Sequence, residues 1–194
     1  MTAIYMSLEP VWALGISNAA KDHEFRKRLP EKPFSQWFIY VTVPVGQIKY
    51  VATVGAPIQY PAKIDYKGFG NTEFNRGDMT KFAIPVLSLD ELVVPIDLNK
   101  LRIKFNFTPP QFFAYDSAYP DLTQAILSAP KKEIFTTTPQ GILCVGKDIC
   151  EYWGFSTRNN SPQLLSDELR RKKFFELRAI ARTVYSNSSK QPKQ

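Results

Sequence analysis

Lys21-Asp22-His23-Glu24-Phe25-Arg26-Lys27-Arg28 gathers four cations, two carboxylates and the chain's single histidine into eight residues. A set of this kind can grip a phosphate, hydrogen-bond a base edge or clamp a carboxylate, through charge-assisted contacts worth about 1.5–3 kcal/mol each. In an extended chain alternate side chains share a face. Glu24, Arg26 and Arg28 are therefore expected in one row, with Lys21 projecting toward it from the end of a preceding helix. The competing interpretation is a solvated, salt-bridged strand face. The partner of Glu24 separates two chemistries. If Glu24 holds Lys21, the ammonium is a permanent anion clamp. If Arg26 takes Glu24, Lys21 is crowded by positive charge and its pKa falls toward that of a general base. The spacing favours the first arrangement.

The elements around this stretch follow from periodicity and punctuation. Residues 4–8 alternate as a first strand. Glu9-Pro10 opens a helix with Pro at its first position, running through Val11, Trp12 and Leu14 to Ala20, with Gly15 a weak point inside it. Residues 37–43 and 47–54 are rich in β-branched and aromatic side chains and form a hairpin; Pro44-Val45-Gly46-Gln47 fits a type II turn between them. Residues 56–80 dissolve into Pro, Gly, Asn and Asp and read as surface loop. Within them Gly68-Phe69-Gly70-Asn71 lacks the spacing of a dinucleotide or P-loop signature and is expected to open no helix. Residues 81–89 read as a strand, with Pro85 at an edge or bulge. Asp97 caps a short helix through Leu101, the aromatic segment 105–115 is irregular or strand structure over the core because its Pro pair bars a helix, and residues 119–128 form a helix with Leu122, Ala125 and Ile126 on one side.

Composition bounds the rest. A chain of 194 residues, 44% hydrophobic, can bury a core in one domain plus an appendage. Two cysteines, Cys144 and Cys150, make no disulfide framework and with His23 cannot complete a four-ligand zinc site, so no metal and no cofactor is expected. There is no secretory signal pattern and no run of 18 apolar residues. These features point to a soluble, intracellular protein, in cytoplasm or nucleus, with no membrane association. The formal charge of +7 is uneven: residues 1–130 carry 13 Lys/Arg against 12 Asp/Glu, and residues 131–194 carry 12 against 6. The basic third suits a polyanionic partner.

The order of these features resembles the ASCH domain, a branch of the PUA-like superfamily of small β-barrels. The residues that carry the resemblance are Ser7, Glu9 and Pro10; Lys21, Glu24, Arg26 and Arg28; Tyr40, Thr42, Pro44, Val45 and Gly46; and Pro109, Pro110, Gln111, Phe113 and Tyr115. They span about residues 3–128. The family's usual Gly two places before the motif Lys is Ala19 here. The resemblance implies an α+β fold: a PUA-like/ASCH partly open β-barrel with flanking helices, residues 1–130. It also implies a cleft for RNA, DNA or a modified base, in which cations meet phosphate and aromatics stack a splayed-out base. The cleft set is Ser7, Trp12, Lys21, Glu24, Arg26, Arg28, Tyr40, Thr42 and Gln111, with Trp12, Trp37 and Tyr40 as stacking candidates. One ASCH type is similar to an amidohydrolase that deacylates N4-acylated cytidine, and another cleaves RNA. The first uses a Lys, a Thr three residues later and a distant Glu. Lys21 matches, but Glu24 stands at the Thr position. No catalytic residue is assigned; an enzyme here would use Lys21, Glu24 and Thr42.

Beyond the resemblance, residues 141–145 read as a short apolar strand or buried turn and residues 148–153 as a helical turn. A helix from Asn160 or Ser161 to about Tyr185 carries a broken apolar stripe that includes Leu177, with a basic face of Arg170, Arg171, Lys172, Lys173, Arg178 and Arg182. Residues 131–185 thus form a basic helical extension packed on or beside the barrel, and 186–194 a disordered tail. Nucleic-acid binding is the leading function, a hydrolase acting on N4-acylated cytidine or RNA the second. A protein-interaction module docking through the C-terminal helix in a transcription-related complex is the third.

Overall fold

The structure is a computed structural model that describes residues 2–65, 68–139 and 141–145, together with Gln163, Leu164, Glu168, Lys172, residues 175–177 and Ala179. In chain order its elements are β1 (Ala3–Leu8), α1 (Pro10–Ser17), β2 (His23–Arg26), β3 (Gln36–Val41), β4 (Gln47–Val54), β5 (Ile58–Gln59) and α2 (Asn71–Arg76). They continue with β6 (Phe82–Asp97), α3 (Leu98–Phe105), β7 (Ala114–Tyr115), a 3-10 turn at Asp116–Ala118, α4 (Pro120–Ser128), β8 (Lys131–Thr138), β9 (Gly141–Cys144) and β10 (Gln163–Leu164). The sheet runs β10-β9-β8-β6-β4-β3-β1-β7, with β2 and β5 also paired to β6. Among the described residues the ends of this path do not meet, so the molecule is an α+β, partly open barrel.

The central strands are apolar on both faces because both faces are covered. Ile4, Met6 and Leu8 of β1 and Trp37, Ile39 and Val41 of β3 enter one core with Val11, Ala13 and Ile16 of α1. Tyr5, Phe38 and Tyr40 enter the other with Leu101 of α3 and Leu122 and Ile126 of α4. β1 lies parallel to β3, so the chain must cross over between them, and that crossover contains α1 and β2. β6 is 16 residues long because it serves two layers: Phe82–Pro85 pair with β2, and Val86–Asp97 pair with β4. Register shifts at Thr53/Val54 and at Ile48/Tyr50 bend it from one layer into the next, with Pro85 at the first bend.

Several sequence expectations change. The hairpin turn sits two residues earlier than a type II turn over Pro44–Gln47: the Val45 and Gly46 N–H groups both donate to the Thr42 carbonyl, at 3.1 and 3.3 Å. Gly46, at φ +62, then leads into β4. The helix expected to end near Leu101 continues to Phe105; Asp97 is its cap as expected, accepting the Lys100 N–H at 2.9 Å. Residues 131–138, placed in the helical extension by sequence, are strand β8, paired with β6. Of the basic helix face, Lys172 is helical and exposed. Arg170, Arg171, Lys173, Arg178 and Arg182 lie outside the described residues, as does the expected tail 186–194. No helix among the described residues is long and apolar enough to cross a membrane.

Candidate functional site

Lys21 is positioned by the way α1 ends. The Lys21 N–H reaches back to the Gly15 carbonyl at 2.8 Å, Asn18 Oδ1 accepts the Ala20 N–H at 3.2 Å, and Ala19 between them sits in the left-handed region at φ +58. That conformation costs an L-residue about 1–2 kcal/mol. It accounts for glycine as the more usual residue two places before the motif lysine. The chain then runs straight into β2, held on β6 by the pairing Glu24↔Ile84 and Arg26↔Phe82.

The result is a buried ion cluster. Lys21 Nζ donates to Glu24 Oε2 at 2.7 Å and to the His23 carbonyl, and lies 4.8 Å from the Phe25 ring centroid. Arg26 Nη2 meets the other carboxylate oxygen, Glu24 Oε1, at 3.1 Å and approaches the Ser7 carbonyl at 3.4 Å. Glu24 therefore bridges both cations, and the two arrangements weighed from sequence coexist. Arg26 Nε is buried with no hydrogen-bond acceptor among the described residues. Burial holds Lys21 below the ordinary ammonium range. The Glu24 carboxylate opposes this shift and the Arg26 guanidinium adds to it.

Beside this cluster lies a second buried network. His23 Nδ1 is 2.8 Å from Asp22 Oδ1, and Asn71 Nδ2 donates to the same oxygen at 3.0 Å. It ties the start of β2 to the first residue of α2. The close approach needs glycine twice: a Cβ on Gly68 would lie 2.1 Å from the Asp22 carboxylate, and one on Gly70, at φ +90, 2.4 Å from the Phe25 ring. The Phe69 N–H donates to the Ala20 carbonyl at 2.9 Å, which delivers the Phe69 ring to Trp12, centroid to centroid 5.2 Å. So Gly68-Phe69-Gly70-Asn71 is not plain surface loop. It opens α2 and builds a wall of the site.

These pieces border an open cavity of about 200 Å³ lined by Trp12, Lys21, Glu24, Phe25, Phe69, Met79 and Thr80. Of the sequence candidates, Trp12, Lys21 and Glu24 line it, and Arg26 stands behind Glu24. Arg28 does not join the row, because β2 ends at Arg26 and Arg28 is exposed beyond it. Trp37 and Tyr40 are packed in the two cores and offer no stacking face. Thr42 belongs to the hairpin turn, its N–H on the Leu8 carbonyl. Ser7 Oγ donates to the Pro110 carbonyl at 2.7 Å, which places the exposed Gln111 near β1 but outside the cavity. Phe25, Phe69, Met79 and Thr80, which also line it, were not among the sequence candidates. For the last three the only sequence signal is a glycine on either side of Phe69. Among the described residues no three His, Cys, Asp or Glu side chains are grouped to hold a metal.

This arrangement is similar to that of solved structures. A point variant of the ASCH protein of Zymomonas mobilis matches with a TM-score of 0.50 and 27% identity, over 66% of this chain and 96% of that one. The chain has an ASCH-domain fold. The unsubstituted ASCH protein of Zymomonas mobilis gives 24% identity and a TM-score of 0.48 over 66% of this chain and 96% of its own. No family model matches the sequence, and no curated protein matches it.

In this ASCH fold the buried Lys21 makes stability depend on pH in a definite sense. The unfolded lysine keeps its proton up to about 10.4, whereas the folded one releases it at lower pH. Between those two values the unfolded chain binds more protons, so the Lys21 contribution to stability rises with pH and is complete above the unfolded value. Burial raises the Tyr5 and Tyr40 pKa values, which lowers stability as pH climbs past about 10. The difference between wild type and Lys21→Met isolates the lysine. Urea unfolding at a series of alkaline pH values should show wild type gaining on the variant as pH rises toward 10.4. A constant difference would mean that Lys21 titrates as an exposed lysine does.

Proposed function

We propose that this protein binds nucleic acid, taking one unstacked base into the cavity between Trp12, Phe69 and Phe25. The observation that carries this reading is an aromatic-walled cavity with a Lys–Glu pair on its lining. Aromatic walls suit the flat faces of a base, and the pair offers a donor beside an acceptor, as base edges require. A volume of about 200 Å³ falls below the 300–1,000 Å³ usual for drug-sized ligands, so one ring system fits where a dinucleotide does not. Lys21 and Arg26 are balanced by Glu24 and the neighbouring Asp22, and Lys21 already occupies the Phe25 ring. The near-neutral site suits an uncharged base, and a cationic guest finds the Phe25 ring taken.

The basic C-terminal third is assigned the backbone. The test is fluorescence anisotropy of labelled single-stranded and duplex oligonucleotides, RNA and DNA, with the full chain across a salt series. Single strands should bind more tightly, and log affinity should fall with log salt by roughly 0.7 per phosphate contact. No binding at low salt would overturn the reading.

A hydrolase acting on N4-acylated cytidine or RNA is favoured by one observation. Thr80 brings a hydroxyl, donated to the Phe82 carbonyl at 3.2 Å, to the same cavity as Lys21, supplying what position 24 lacks, and burial favours the neutral Lys21 amine. Turnover of acylated cytidine or labelled RNA, abolished by both Lys21→Met and Thr80→Val, would replace binding by catalysis.

A further inference from the structure

Leu177 packs behind the site, against Gly15 and the stem of Lys21. Leu177 is 1% exposed and sits in the same core as Val11, Ala13 and Ile16 of α1 and Ile134 and Phe135 of β8. The helical residues described around it, Lys172, Phe175, Glu176 and Ala179, are exposed, so Leu177 is the one that points inward among them. It fills the notch left by Gly15: a Cβ at Gly15 would lie 2.9 Å from Leu177 Cδ2 and 3.3 Å from Lys21 Cβ. Leu177, the bare backbone of α1 and the lysine stem therefore converge on one point. The Lys21 N–H is bonded to the carbonyl of that same glycine. The Zymomonas mobilis protein, matched over 96% of its length, uses only 66% of this chain. About a third of the chain is additional to that shared fold.

We propose that the helical residues 175–177 are a strap that seals the Lys21 end of the cavity, with Leu177 as the positioning residue that keeps the lysine stem dry and its ammonium on Glu24. The physical reason is shape. Gly15 removes a side chain from the middle of a helix that would be more stable with alanine there, and the space so opened is filled by a residue some 160 positions later. The strap excludes water from the aliphatic stem of Lys21, and the amine is left with few partners besides Glu24 and the His23 carbonyl. Displacing the strap admits water and lets the amine leave the carboxylate. This holds whatever occupant the cavity takes.

The test uses the full chain and a small amine-acylating reagent, with labelling at each lysine read by peptide mass spectrometry. In the wild type Lys21 should be protected relative to Lys49, whose side chain is 32% exposed. In Leu177→Asn and in the milder Leu177→Ala, Lys21 labelling should rise by about tenfold or more through local opening, while Lys49 is unchanged. Leu177→Met should restore protection. Amide exchange of residues 37–41 in β3 separates this from general loosening and should stay slow in all three variants. The proposal is overturned if Lys21 remains protected in Leu177→Asn and Leu177→Ala, or if its labelling rises only in step with exchange in β3. Should Leu177→Asn fail to fold, Leu177→Ala against Leu177→Met gives the same comparison.

Discussion

Replacing Glu24 with Gln should destabilise the fold by about 3–5 kcal/mol, the usual cost of removing one partner from a buried ion pair. Glu24 accepts from Lys21 at 2.7 Å and from Arg26 at 3.1 Å, and its side chain is only 9% exposed. The amide has the same shape, so packing is kept and only the charge is lost. Two cations are then left facing each other beside an apolar wall. A chain of 194 residues should lose roughly 2–4 °C in Tm per kcal/mol, a fall easily seen by calorimetry. Adding Lys21→Met to Glu24→Gln should recover part of the loss, since the buried cation most in need of the carboxylate is gone. A Glu24→Gln protein within 1 kcal/mol of wild type would show that water, rather than Glu24, solvates the two cations.

The second large effect concerns the cavity wall. Trp12→Ala removes one of two rings, Trp12 and Phe69, that lie 5.2 Å apart and together line the cavity. If a base stacks there, single-strand affinity should fall by the ~1–3 kcal/mol that a base–aromatic stack contributes, roughly 5- to 150-fold. Trp12→Phe should keep most of it, because any π-face serves. The salt slope should not change, since no phosphate contact is lost. Equal affinity in wild type and Trp12→Ala would remove the cavity from the binding site and leave only the basic segment. A lower slope would mean that Trp12 had been positioning a cation.

Much of the scaffold was decided by local chemistry that a sequence carries openly. β1, the β3–β4 hairpin, α3 with its Asp97 cap and α4 with Leu122 and Ile126 inward each follow from a two- or 3.6-residue period and a boundary residue. For the hairpin and the two helices, the contacts that make them are near in the chain, whereas β1 shows only its alternation and finds its partners β3 and β7 far away. Lys21, Glu24 and Arg26 were legible for the same reason: six residues contain the whole ion cluster, and a strand puts Glu24 and Arg26 on one side. Even the departure at Ala19 marked a real feature, a left-handed residue that turns α1 into β2.

Only the tertiary structure decided which aromatics face a guest. Trp12, Trp37 and Tyr40 are equivalent by composition. Trp37 and Tyr40 lie on a strand covered on both faces, whereas Trp12 lies on a helix with one side open, so layer order rather than residue type separates them. Phe69, Met79 and Thr80 reach the cavity from a stretch with no periodicity. Their placement depends on Gly68 and Gly70 passing Asp22 and Phe25, contacts 46 and 45 residues apart in the chain. Arg28 fell out of the row because pairing with β6 stops opposite Phe82, which no pattern within residues 21–28 could reveal. Leu177 reads as one apolar residue of a helical stripe. What it covers is set by the notch at Gly15, and a notch exists only once α1 is folded.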